Sequence, residues 1–222
     1  DKEEYLVIWT TTPWTIPFNL AIMAHPEITY VKARVGEETW IVAKDLFEKI
    51  LAVVEKDGEI LEEFTGKELE GVKYKHFFDM PFPQAEKLHT IVLTEQFVDV
   101  EHGTGLVHSA PGCGAEDFEV GQENGLPPYN TVDERGVFQD ANEFTGLVAK
   151  DDDEKFVQKI EEKGALAATE QYTHEYPHSW RSHQPVIFRV TDQWFMKAED
   201  LREQVLKFNK DIDWVPEKTK KS

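Results

Sequence analysis

Residues 28–58, ITYVKARVGEETWIVAKDLFEKILAVVEKDG, decide the fold class. Ile28–Val35 and Thr39–Ala43 are rich in β-branched and aromatic residues, and Gly36-Glu37-Glu38 between them has hairpin length. The apolar period then lengthens from two to about 3.6 residues. From Asp45 to about Lys56, residues Leu46, Phe47, Ile50, Leu51 and Val54 share one face. Asp45 and Glu48 have capping-box spacing, and Gly58 follows the helix as a stop. A hairpin feeding a helix, without regular strand–helix alternation, predicts an α+β domain.

Outward from this stretch, Tyr5–Trp9 reads as a strand that ends at Thr10-Thr11-Thr12-Pro13, because proline cannot continue a ladder. Residues 59–89 are mixed and acidic, with Pro81-Phe82-Pro83 punctuating a loop. Thr90–Thr94, Leu106–Ser109 and Val186–Val190 read as strands. Residues 151–163 read as a helix with an acidic start, a buried side of Phe156, Val157 and Ile160, and a stop at Gly164. Ala198–Phe208 is a last helix with Leu201, Val205 and Phe208 turned inward, and Lys218–Ser222 is a frayed end. The irregular strand spacing predicts a β-barrel-like core with peripheral helices. Residues 1–175 form the expected core domain and 176–222, rich in aromatics and arginine, an arm.

The 222 residues carry 24 Lys and Arg against 43 Asp and Glu, a net charge of −19. Hydrophobic residues at 40% and aromatics at 12% suffice for a core and exclude a disordered chain. No apolar run approaches the roughly 20 residues of a membrane helix, and the opening DKEEYLVIW is acidic. Neither a spanning segment nor a secretory leader is expected. Cys113 is the only cysteine, which excludes an internal disulfide and fits a reduced, cytoplasmic setting. The charge also excludes a large nucleic-acid footprint, since phosphate binding relies on Lys and Arg. A nucleic acid would meet this chain through a small piece only.

Two segments could carry chemistry. In Trp9-Thr10-Thr11-Thr12-Pro13-Trp14-Thr15, three consecutive hydroxyls leave a strand, so side-chain alternation sends them to both faces. Each can donate and accept, as positioning a water or a ribose hydroxyl requires; a threonine-rich strand end before a proline turn is the plainer alternative. In Gly103-Thr104-Gly105-Leu106-Val107-His108-Ser109-Ala110-Pro111-Gly112-Cys113-Gly114-Ala115-Glu116-Asp117-Phe118, glycines let the backbone approach a ligand. The acidic pair Glu116 and Asp117 suits a cationic group such as an ammonium, or simply a helix dipole. His108 with Cys113 could be a nucleophile pair, although no third orienting group is evident. His102, His108, Cys113 and Asp117 fit no metal-ligand spacing, and Gly103-Thr104-Gly105 is too short for a dinucleotide fingerprint. His25, His89, His174, His178 and His183 are scattered and read as structural.

Together the two segments resemble the editing domain inserted into the isoleucyl-tRNA synthetases, within the group shared with the valyl and leucyl enzymes. Threonine at position 12, where the valyl and leucyl members usually carry arginine, and His108 in Val107-His108-Ser109-Ala110-Pro111 are similar to the isoleucyl pattern. Tyr176-Pro177-His178-Ser179-Trp180-Arg181 and Thr191-Asp192-Gln193-Trp194-Phe195 resemble the stretch that returns to the synthetase's catalytic body. The adenylate-forming signatures of that body are absent, so no aminoacylation is expected.

The resemblance implies hydrolysis, by water, of valine mischarged on isoleucine tRNA, and of valyl-adenylate. One methylene is worth only about 1–3 kcal/mol in a pocket, which is why a second sieve is needed. On this likeness Asp117 grips the amino-acid ammonium, and His108 lines the side-chain pocket and collides with isoleucine. Thr10, Thr11 and Thr12 hold the ester, the terminal adenosine and the water; Trp9 and Asn19 flank the pocket. The implied partners are the 3′ CCA end of aminoacylated isoleucine tRNA, its valine moiety and the rest of the parent synthetase, with no metal, cofactor or membrane. Two other readings stay open: a non-catalytic amino-acid or tRNA-end binding module, and a Cys–His hydrolase.

Overall fold

The strands lie in two open sheets in the computed structural model, which describes residues 4–216. The strands are β1 (Glu4–Leu6), β2 (Ala21–Ala24), β3 (Thr29–Val35), β4 (Glu38–Ala43), β5 (Gly58–Thr65), β6 (Thr90–Leu93) and β7 (Leu106–Ser109). The helices are α1 (Phe47–Val54), α2 (Ala115–Asn124), α3 (Asp153–Glu162) and α4 (Arg202–Asn209). One sheet has the order β1-β4-β3-β5 and the other β6-β2-β7. The α+β class and the placing of helices around a β core are as the sequence predicts. The core is two open sheets, with no closed barrel among the described residues.

The hairpin forms around Gly36, whose φ of 63° suits the turn. On β3, Tyr30, Val31, Ala33 and Val35 are buried while Arg34 points to solvent. Tyr30 joins the first sheet to the loop before β7: its hydroxyl donates to the Gly105 carbonyl at 2.7 Å. The Ala43 N–H adds a second tie to the Thr104 carbonyl at 2.8 Å. Gly105 lies so close to β4 that a Cβ there would stand 2.3 Å from that of Ala43. In the second sheet β2 runs parallel to β6 and antiparallel to β7, and all four β2 residues are buried. A separate aromatic core, Phe18, Phe78, Phe138, Phe144 and Phe156, packs the 13–18 turn against α3.

Several local expectations are corrected. Of the Tyr5–Trp9 stretch only Tyr5 and Leu6 fall in a strand, β1. Lys44–Leu46 forms a 3-10 turn, so α1 starts at Phe47 and the Asp45–Glu48 capping box does not form. Glu55 ends the helix in the left-handed region, at φ 52°. Gly58 instead opens β5, where a Cβ would press on Phe47 and Leu51. β5 itself was not foreseen because it is an exposed edge rich in glutamate; Glu59 pairs with Arg34 and Glu63 with Lys44. Val186–Val190 forms no strand: the Val190 N–H bonds to Gly112, and a lone bridge joins His178 to Pro185.

The chain divides into two units between Val190 and Thr191. In the second, a 3-10 turn at Glu199–Leu201 leads into α4, where Val205 and Phe208 are 60% and 65% exposed, so the predicted inward face, Leu201 included, is open. The tail 218–222 lies outside the described residues.

Candidate active site

The site begins with a turn that proline shapes. After Thr12, Pro13–Phe18 winds as a 3-10 helix with proline at its first position, where a missing N–H costs nothing. Trp14, Ile16 and Phe18 are buried and anchor it. The i,i+3 geometry of the turn lets the Thr15 hydroxyl reach back and donate to the Thr12 carbonyl at 2.8 Å. Thr12 Oγ1 lies 3.4 Å from Thr15 Oγ1 and 3.2 Å from Thr10 Oγ1, which also accepts the Thr12 N–H at 3.0 Å. Thr11 makes no side-chain hydrogen bond among the described residues, leaving its hydroxyl available.

His108 enters this hydroxyl chain from β7. Opposite Ile22 of β2, its imidazole is buried and Nε2 lies 3.0 Å from Thr15 Oγ1. Burial, aided by nearby His76, lowers its pKa to about 4, so the ring is neutral at physiological pH. His76 has the same character, lowered to about 4 by burial; it bonds the Ile16 carbonyl through Nε2 at 3.1 Å and accepts the Phe78 N–H at Nδ1.

Asp117 lies in the first turn of α2 and folds back on the exit of β7. Its Oδ1 accepts the Ala110 N–H at 3.0 Å, while Oδ2 rests against Gly114, where a Cβ would stand 2.1 Å away. Burial raises its pKa to about 6 against the pull of that N–H, so the carboxyl is a weakly held anion at neutral pH. Ala110 is two residues along from His108, which brings Asp117 to the same strand end. Among the described residues no hydrogen bond joins Asp117 to His108 or to the threonines.

The two flanking candidates are placed differently. Asn19 is buried, its amide donating to the Ala21 carbonyl at 2.8 Å and accepting from the Tyr74 hydroxyl, so it braces the start of β2. Trp9 points toward the surface: its indole donates to Glu170 at 3.2 Å and its ring packs edge-on to Tyr172, 4.9 Å away. A concavity of about 350 Å³ between Leu93–Phe97 and Glu119/Glu123 contains none of these residues.

Two competing chemistries are poorly served. Cys113 is buried, and burial together with the Asp117 charge pushes its thiol well above the usual range, so little thiolate exists. His108 bonds Thr15, and no hydrogen bond links it to Cys113. No group of three His, Cys, Asp or Glu among the described residues could hold a metal ion. No helix among them is long and apolar enough to cross a membrane.

Sequence reasoning missed Thr15, His76 and Tyr74 as parts of this neighbourhood. The signal for Thr15 was present in its spacing from Thr12 across a proline-started turn; nothing local flagged His76 or Tyr74, whose partners are 60 and 55 residues away.

The family model described as "tRNA synthetases class I (I, L, M and V)" matches residues 5–222. Isoleucine–tRNA ligase of Pyrococcus furiosus is 46% identical over 97% of this chain, which spans 21% of that protein. The enzymes of the same name from Methanopyrus kandleri and Fervidobacterium pennivorans are 43% and 44% identical over 96% and 97% of the chain, spanning 21% and 23% of theirs. The chain thus spans about a fifth of the length of these curated relatives. In fold it is similar to the crystal structure of GlLeuRS-CP1, with a TM-score of 0.57 at 15% identity, covering 77% of this chain and 86% of that one. The chain belongs to the class I tRNA synthetases of the I, L, M and V group.

Proposed function

We propose that this chain is the editing domain of an isoleucyl-tRNA synthetase, removing valine from mischarged isoleucine tRNA. The observation that carries the reading is the continuous contact from Thr10 through Thr12 and Thr15 to His108, with Asp117 at the exit of the same strand. The chain's similarity to isoleucine–tRNA ligases over nearly its whole length supports it. The acidic charge fits a domain that receives only a single-stranded tRNA end while the rest of the synthetase carries the tRNA body.

In the proposed reaction the amino-acid ammonium lies against the Asp117 carboxylate. A water held by Thr10 and Thr12 attacks the ester carbonyl, and the Thr11 hydroxyl donates to the developing oxyanion. The C–O bond to the ribose then breaks, its oxygen takes a proton, and valine leaves as the free acid. His108 is a poor general base, because Nε2 is engaged with Thr15 and burial depresses its pKa. An aminoacyl ester is activated enough for water alignment and oxyanion donors to suffice. The buried imidazole serves as a wall that admits the smaller side chain.

The test is release of valine from valyl-tRNA for isoleucine at high domain concentration. Asp117→Ala is expected to abolish release, while a binding module without turnover would bind valine and leave the ester intact in the unaltered chain.

A further inference from the structure

Trp9 begins a row of rings that the site above does not use. Its indole packs edge-on against Tyr172 at 4.9 Å, and Tyr172 stacks on His174 at 5.8 Å. His174 then meets Tyr176 at 5.9 Å, and Tyr176 meets His178 at 6.3 Å. Every second residue from 172 to 178 thus carries a ring, and each ring meets the next. Tyr172 is 43% exposed, and His174 and His178 are exposed as well. A single exposed aromatic needs no explanation, whereas a contiguous row of them marks a binding surface.

The row is fixed from beneath. Tyr176 is its half-buried foot: Lys150 Nζ lies 4.9 Å over the ring, and the hydroxyl donates to the Val186 carbonyl at 2.8 Å. The Val186 N–H donates to the Pro177 carbonyl at 3.1 Å and the Ser179 N–H to the Gln184 carbonyl at 2.9 Å, which closes 177–186 into a loop. Inside that loop Trp180 is 77% exposed, with the Arg181 guanidinium 4.7 Å over its ring. A ring for a base and a cation for a phosphate stand side by side.

Charge and chemistry select the occupant. Glu175 is the only acid in residues 171–190, of 43 in the chain, and Arg181 and Arg189 lie in the same stretch. A polyanion is therefore repelled less here than over the rest of the surface. Two arginines cannot neutralise a duplex backbone, and paired bases keep their faces inside the stack. Unpaired bases are free to stack on aromatic and guanidinium planes. The row also starts at Trp9, the residue before Thr10, so a strand whose end lies at the threonines has these rings beside it.

We propose that Trp9, Tyr172, His174, His178, Trp180 and Arg181 form a stacking surface for the unpaired nucleotides that precede the terminal adenosine of a tRNA. The identity of the strand rests on the editing reading; the affinity for single-stranded RNA stands apart from it.

The experiment titrates the 222-residue chain into a short fluorescein-labelled single-stranded oligoribonucleotide ending in CCA, at low ionic strength, and reads anisotropy. The same oligonucleotide annealed into a blunt duplex is the control. Saturable binding of the single strand, with at least tenfold weaker binding of the duplex, is expected. Tyr172→Ala and Trp180→Ala are each expected to weaken it roughly tenfold, the order of one lost base–aromatic stack, while Tyr172→Phe and Trp180→Phe stay within about twofold. Both positions are exposed, and thermal melts check that the variants remain folded. No saturable binding, equal binding of the duplex, or alanine variants that bind as the unaltered chain does would each overturn the proposal and leave this face to the rest of the parent synthetase. Hydrolysis of valyl-tRNA without ring-dependent binding removes the stacking surface and keeps the editing reading. Ring-dependent binding without hydrolysis does the reverse.

Discussion

Thr15 Oγ1 and His108 Nε2 meet at 3.0 Å across 93 residues of sequence. The pairing of β2 with β7 makes this meeting possible, because it lays His108 opposite Ile22, seven residues after Thr15. Leu20 extends the register by donating its N–H to the Ser109 carbonyl at 2.9 Å. The site is therefore built by one antiparallel strand pair, with a proline-started turn at one end and α2 at the other.

Gly114 allows the Asp117 carboxylate to fold back on β7. A Cβ at 114 would meet only the end of that side chain, at 2.1 Å, so the fold can yield at little cost while the carboxylate is displaced. Gly114→Ala is expected to lower valyl-tRNA hydrolysis at least tenfold and to leave Tm within a few degrees. Parallel deacylation and thermal-melt measurements check both halves.

Activity is expected to fall with acidification. Asp117 titrates near 6, so its charge, and with it the hold on the ammonium, is lost as pH drops through that value. A pH–rate profile on valyl-tRNA, corrected for spontaneous hydrolysis, should show a limb near pH 6 that is missing in the residual activity of Asp117→Asn.

Stability has its own pH dependence. His76 and His108 titrate near 4 when folded, against an ordinary value of 6.5. Their contribution is fully present above about pH 6.5 and is lost as pH falls through 4, on the order of 3 kcal/mol each at the limit. Asp117 acts oppositely: its folded value is raised, so its contribution is present below its ordinary value of 3.8 and lost as pH rises through 6. The two histidines outweigh it, and urea unfolding should show a lower midpoint at pH 4.5 than at pH 7, with a shallower change in His76→Gln.

The hairpin of β3 and β4, and the strands β6 and β7, were legible because short runs rich in apolar and β-branched residues, largely buried, lie between turn residues. β5 was not, because Glu59, Glu62 and Glu63 give an edge strand the composition of a loop. The start of α1 was misplaced because Asp45 sits in a 3-10 turn whose backbone bonds replace the cap. In the site, the threonine run and His108 stood out as residues, while their link through Thr15 did not, since a hydrogen bond across two distant segments leaves no local pattern. Asp117 was readable as a first-turn acid; its return to Ala110 depends on Gly114, which the sequence offers only as one glycine among several in that loop.

The most direct measurement is a pair of rates: hydrolysis of valyl- and isoleucyl-tRNA for isoleucine, by the unaltered chain and by His108→Ala. The account predicts that the unaltered chain cleaves the valyl ester and spares the isoleucyl one, and that removing the imidazole admits isoleucine while valine release persists. Equal cleavage of both esters by the unaltered chain, or a ratio that does not move on His108→Ala, would contradict it.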